Sequence, residues 1–168
     1  MRGVTRELVI FGVLAATYFA LTVGLHPISY GPLQIRVSDI LSPLSYVLGP
    51  AGVAGLTLGT FLANWFSPYG LWDVVIGTAC TFTYSSINYA LFRVFGYRKT
   101  LLPVVAVVDS LVVGAFIGFL LLGLIAGYGN PLVLAALLTL EALIPMSVGA
   151  LILTPRVARA LGIEEATR

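Results

Sequence analysis

The sequence has one cysteine, Cys80, and one histidine, His26. A lone thiol excludes an intrachain disulfide and a cysteine-held metal cluster, and a lone imidazole next to Pro27 reads as a loop residue. Charge is equally sparse. Only 10% of the residues are charged, against roughly 25% in soluble domains. The net charge of +2 gives no basis for a nucleic-acid partner. HExxH, GxSxG and phosphate-binding loops are all missing, so the chain reads as a non-enzyme that needs no cofactor and cannot hydrolyse ATP itself.

What is abundant is apolar surface. Hydrophobic residues make up 59% of the chain, and its mean hydropathy is +1.03. A soluble protein of 168 residues cannot hide this much, so the fold class is all-α integral membrane protein. Arg2 and Arg6 precede an apolar run in the manner of a secretory signal, but no small-residue cleavage site follows, and the run reads as a retained first span. At about 20 apolar residues per crossing, the expected spans are 8–25, 32–48, 51–66, 72–92, 101–126 and 132–154. Proline and glycine punctuate them at His26–Pro32, Gly49-Pro50, Ser67-Pro68 and Gly127–Pro131. The whole chain, 1–168, is one transmembrane domain with no internal repeat, soluble domain or linker.

Six spans put both termini on one side. Arg2, Arg6, Arg93, Arg98, Lys99, Arg156, Arg159 and Arg168 then fall on the terminal side and only Arg36 on the other. Basic residues mark the cytoplasmic face, which predicts an N-in, C-in, multi-pass protein of the cell membrane. Two polar and aromatic clusters end together on the outer side, Tyr30 to Asp39 and Asn64 to Asp73, separated by the apolar run from Leu44 to Leu62. A concave apolar site with a few convergent polar groups is how small-molecule sites are built.

Ionisable groups within a span mark function by default. Glu141 lies near the middle of the sixth span, and Pro145 four residues on must displace its carbonyl from the helix ladder. Its carboxylate needs a donor, either Arg36 or a ligand rich in N–H groups. Arg36 and Asp39 are three apart and could instead pair along one helix face. Asp73 starts the fourth span, where a carboxylate also serves as a cap. Asp109 falls in the inner half of the fifth span, away from the outer clusters, and reads as structural or coupling. Tyr30, Trp65, Tyr69, Trp72 and Tyr128 lie at the outer boundary, as interfacial aromatics or as stacking plates for a flat ligand. Gly12, Ala16, Ala20 and Gly24 form an i, i+4 stripe on the first span, which either packs internally or docks a separate membrane protein. Gly55, Gly59 and Ala63, and likewise Gly114 and Gly118, are expected to pack internally.

The central stretch resembles the QueT-type family of queuosine-precursor carriers, among the substrate-binding components of energy-coupling-factor (ECF) transporters. Tyr30, Gly31, Pro32, Gln34, Arg36 and Ser38 match its first block. Gly55, Gly59, Ala63, Asn64, Ser67, Gly70, Asp73 and Gly77 match its second. Asp39 stands where the family pattern has Glu, and the segment after Gly77, TACTFTYSS, is more polar than the pattern. The resemblance implies a six-helix capture component that takes a small molecule from outside. It would dock through Gly12, Ala16 and Ala20 onto a transmembrane coupling subunit served by two ATPase subunits. The implied ligand is a 7-deazaguanine-like base. Glu141, with Asp73 as the second choice, would accept its N1–H and exocyclic amine; Gln34, Asn64 or Arg36 would read O6; and Trp72, Tyr30 or Tyr69 would stack. Asp39 completes the expected set. The other reading is a self-sufficient proton-coupled transporter or channel in which Glu141 and Asp109 carry protons.

Overall fold

The computed structural model describes residues 2–30, 35–163 and 165, and every regular element among them is helical. Gln34, Gly31 and Pro32, named above as motif or site residues, lie outside the described residues, as does Arg168. Helix α1 is Arg2–Gly24, followed by a single turn, His26–Ser29. A tight 3-10 helix, α2 (Val37–Leu44), leads into α3 (Ser45–Asn64), and α4 is Leu71–Phe95. Helix α5 (Leu102–Val113) continues through Gly114–Ile125 in wider turns. Helix α6 (Pro131–Val148) continues likewise through Gly149–Leu153 into α7 (Thr154–Ala160).

Gly49 breaks α3. Its φ of +62° is a conformation that side chains rarely adopt, and Pro50 follows it. The chain reverses there, because a Cβ on Gly52 would lie only 3.2 Å from the Ser45 Cα. Seven residues of straight helix would separate those positions by about 10 Å. The residues before Gly49 therefore run antiparallel to those after it.

Neighbouring contacts fix the other directions. Gly55 lies against Phe11 and Leu14, and Gly59 against Ala15 and Tyr18, so the second part of α3 runs parallel to α1. The missing Cβ atoms let the two backbones touch: a Cβ on Gly59 would sit 2.9 Å from the Ala15 carbonyl oxygen. Thr60 bonds Thr81 and Asn64 bonds the Asp73 carbonyl, which makes α4 antiparallel to α3. Gly114 meets Ala135, and Gly123 meets Pro131, so α5 and α6 are antiparallel and backbone-close. One end of the bundle gathers His26, Phe66, Tyr69 and Tyr128. The other gathers Tyr46, Gly96 and Arg98.

Four stretches are long and apolar enough to cross a membrane: Gly3–Gly24, Val37–Asn64, Lys99–Ile125 and Pro131–Ala160. The second of these contains the Gly49 reversal. Leu71–Phe95 is long enough but more polar, because Asp73, Thr81, Ser85 and Asn88 all turn inward and are buried. Its outer face carries exposed Leu71, Val75, Phe82 and Val94, as suits a surface that lipid solvates.

The expected helix start at residue 32 is corrected. Arg36 is extended (φ −95°, ψ 102°) and α2 begins one residue later, so Arg36 and Asp39 do not share a helix face. The reason is the partner that Arg36 finds on α4.

Candidate functional site

Six segments converge on a cavity toward the His26–Tyr128 end of the bundle. Helix α1 contributes Tyr18, the segment entering α2 contributes Ile35 and Arg36, and α2 itself contributes Asp39. Helix α4 contributes Gly77, Cys80, Thr81 and Tyr84. Helices α5 and α6 close the far wall with Val113, Ile117, Leu138, Glu141 and Ala142. The lining thus mixes apolar side chains with polar ones and holds three charged groups, Arg36, Asp39 and, in the apolar far wall, Glu141. The free space is about 20 Å³. A water needs roughly 10–15 Å³ by this measure, so the cavity as described admits a water and is far too small for a bicyclic base.

Arg36 is 8% exposed, and its Nη2 lies 3.3 Å from Asp73 Oδ2. The alternative pairing of Arg36 with Asp39 is not formed. Asp39 instead accepts from the Tyr18 hydroxyl at 2.8 Å. The guanidinium also lies over the Tyr30 ring, 5.4 Å from its centroid, within the range of a cation–π contact. The Tyr30 hydroxyl in turn donates to the Ala63 carbonyl at 2.5 Å. Arg36 is therefore held from two sides, by the Asp73 carboxylate 37 residues on and by the Tyr30 ring, and this draws the chain out of a helix at that point.

Glu141 is half-buried in the cavity wall, and its Oε2 is buried without a hydrogen-bond partner. A buried acceptor left unmatched costs about 1–3 kcal/mol, which is stabilisation still open to an N–H donor. Asp73 and Asn64 are fully buried beside the cavity rather than in its lining. Asn64 donates to the Asp73 carbonyl at 2.9 Å, and both side chains crowd the glycine face of Gly77, where a Cβ would collide with the Asn64 amide. Gly77 is thus required for the packing that fixes Asp73 under Arg36.

A second, more open hollow of about 430 Å³ lies at the same end, lined by Tyr30, Tyr69, Leu122, Tyr128 and Leu134. Tyr69 and Tyr128 meet edge to face, with centroids 6.0 Å apart. Tyr30 belongs to this hollow and Arg36 to the inner cavity, so their stacked pair forms the partition between the two. Trp72 is 59% exposed and lines neither.

The pattern of the sequence did not single out Tyr18, Cys80, Thr81 or Tyr84 as wall residues. Their signal was available: Tyr18 is a hydroxyl in an apolar span, and the others lie in the unusually polar TACTFTYSS segment. Tyr84 bonds Ser42 at 2.9 Å and Thr81 at 3.2 Å. Beyond it Ser45 accepts from Asn88, which also donates to both Asp109 oxygens at 2.9 and 3.0 Å. Asp109 is completely buried in this polar chain and does not reach the cavity lining.

The stripe on α1 faces outward. Gly12, Ala16 and Ala20 are exposed, and the positions beside Gly12 and Gly24 are open. The opposite face of α1, Leu14, Ala15 and Tyr18, is the buried one.

The family model described as QueT transporter matches residues 8–157. The queuosine precursor transporter QueT of Lactococcus lactis subsp. cremoris (strain MG1363) is 33% identical over 93 residues, 54% of each chain. The chain therefore spans about half the length of that curated relative. No solved structure matches.

Proposed function

The chain belongs to the QueT transporter family, and on that premise we propose that it captures a 7-deazaguanine base at the outer side of the cell membrane. It works as the substrate-binding component of an ECF-type importer. Six crossings with both termini inside account for the charge pattern. Arg6, Arg93, Arg98, Lys99, Arg156 and Arg159 belong to the bundle end opposite Arg36, and basic residues favour the cytoplasmic face. The cavity then opens outward, beneath the tyrosine hollow that receives the ligand first.

The observation that carries this reading is the buried, unpartnered Glu141 Oε2 in the wall of a cavity that also holds a guanidinium. The edge of a guanine-type base offers N1–H and a 2-amine side by side, and one carboxylate accepts both. Its O6 needs a donor, and the free N–H groups of Arg36 supply it. Tyr18 and Tyr84 are the aromatic rings in the wall and replace Trp72 as the stacking plates. Admitting a base requires the Arg36–Tyr30 partition to move, because the cavity is water-sized while that pair is in place. The exposed Gly12–Ala16–Ala20 face is where the transmembrane coupling subunit, driven by two ATPase subunits, docks.

Calorimetry on the purified chain in detergent tests the ligand class. One-to-one binding of 7-deazaguanines with adenine silent is the expected result. Adenine binding as tightly as the deazaguanines would overturn the guanine-edge assignment.

A further inference from the structure

The outer surface of the bundle carries an open groove of about 590 Å³ that shares no residue with the cavity. Helix α3 lines it from Pro50 to Phe61, α4 lines it from Thr78 to Tyr89, and Phe11 of α1 adds to one side. Small side chains at Ala54 and Ser86 leave the space, and the rings of Phe61, Phe82 and Tyr89 border it. Thr57 spends its hydroxyl on the Val53 carbonyl at 2.7 Å, so the lining presents carbon to whatever occupies it.

The two ends of the groove differ in charge. At one end Phe61 meets Trp65 edge to face, with centroids 6.1 Å apart. At the other the Tyr89 ring packs against the chain reversal, 3.7 Å from the place a Gly49 Cβ would take. One turn further along α4, the Arg93 guanidinium donates to the Tyr89 hydroxyl at 3.0 Å and lies 5.8 Å from the centroid of its ring. Arg93 is exposed, and neither ion pair among the described residues includes it. The groove therefore ends at a guanidinium that Tyr89 orients and no carboxylate pairs with. From Pro50 to Phe61 it runs about 16 Å along α3, at the rise of an α-helix. That is close to half of the ~30 Å hydrocarbon core, the depth of one leaflet.

An apolar channel one leaflet deep, with a cation at a single end, has the form of a phospholipid. A helix of another protein suits it less, because helices associate in lipid through small residues that let backbones touch, and here rings border the space. Lipid tails are as apolar as the lining, so the acyl chain supplies shape and the headgroup decides which lipid stays. The planar fork of a guanidinium favours a phosphate, and its charge favours a headgroup that is negative overall. We propose that the groove is a site for an anionic phospholipid, with one acyl chain lying between Phe61 and Tyr89 and the phosphate on Arg93. The lipid covers the side of α3 that α1 and α4 leave open and braces the three helices together. This site depends on the chain lying in a membrane and not on what the cavity binds.

The test is native mass spectrometry of the full chain solubilised from vesicles of equimolar phosphatidylglycerol and phosphatidylcholine with the same acyl chains. One phosphatidylglycerol is expected to stay bound, about fivefold in excess over phosphatidylcholine, the weight of one guanidinium near an anionic lipid. Arg93→Gln is expected to abolish that excess. Arg156→Gln, at the same end of the bundle on α7 but outside the groove, is expected to keep it. Ala54→Phe, at an exposed position, fills the groove and is expected to lower retention of both lipids. Equal retention of the two lipids by the wild type would overturn the proposal. So would an equal loss of preference in Arg93→Gln and Arg156→Gln, which would make a general basic belt the source of the binding. A lipid-free dimer in the wild-type spectrum would assign the groove to a second copy of the chain and overturn it as well. The wild-type ratio decides the matter even if a variant does not fold.

Discussion

Arg36 reaches across the bundle to Asp73, Nη2 to Oδ2 at 3.3 Å, although Asp39 is only three residues away. The two partners are 37 residues apart in the chain, on the segment entering α2 and in the first turn of α4. The pair ties a charged group of the cavity lining to the start of α4 beside it.

Breaking one side of a buried pair leaves an uncompensated charge, typically at a cost of about 3–5 kcal/mol. Arg36→Ala and Asp73→Ala are therefore each expected to lower the unfolding midpoint in detergent. The double variant should lose less than the sum of the two, because it removes both charges. Strict additivity in a thermal or denaturant series would show that the two side chains are not coupled.

The two small-residue stripes make opposite predictions. Gly59 faces the α1 backbone, so Gly59→Leu should abolish the fold, visible as loss of monodisperse protein on size exclusion. Ala16 faces outward, so Ala16→Leu should leave stability and ligand affinity unchanged and abolish uptake in cells. Normal uptake by Ala16→Leu would remove this face from the docking account.

Tyr18→Phe deletes the hydroxyl that donates to Asp39 and nothing else. Loss of that donor to a buried carboxylate is expected to cost about 1–3 kcal/mol of stability, read as a lowered unfolding midpoint in detergent. An unchanged midpoint would show that the Tyr18–Asp39 hydrogen bond contributes nothing to stability.

Asn88→Ala strips both hydrogen bonds from the buried Asp109. It should destabilise the protein by about 1–3 kcal/mol or more without changing the order of preference among the bases, because Asp109 is outside the cavity lining. A changed preference in the same calorimetric panel would place Asp109 in the ligand path.

Local signals were sufficient for most helix ends. Gly49-Pro50, Ser67-Pro68 and Gly127–Pro131 each interrupt the helices where glycine and proline chemistry says they should. Glu141 also stood out, as a carboxylate in an apolar run. What could not be read was pairing at long range. Nothing near Arg36 in sequence announces Asp73, so a local i, i+3 partner is equally good by sequence, and the expected helix covers Arg36, which is extended. Tyr18 and Tyr84 were hidden for the same reason: they become wall residues only when α1, α4 and α6 meet. Trp72 shows the converse, since its neighbour Asp73 turns fully inward while the indole stays on the surface.

The central claim is that Glu141 accepts the two adjacent donors of a guanine-type edge. The most direct measurement is the affinity of Glu141→Gln for 7-aminomethyl-7-deazaguanine by calorimetry, with folding verified on the same sample. The glutamine keeps the shape but offers one acceptor where the carboxylate offers two, so binding is expected to weaken by about tenfold or more. Wild-type affinity in the folded variant would contradict the assignment and move the search for the edge reader to Asp39.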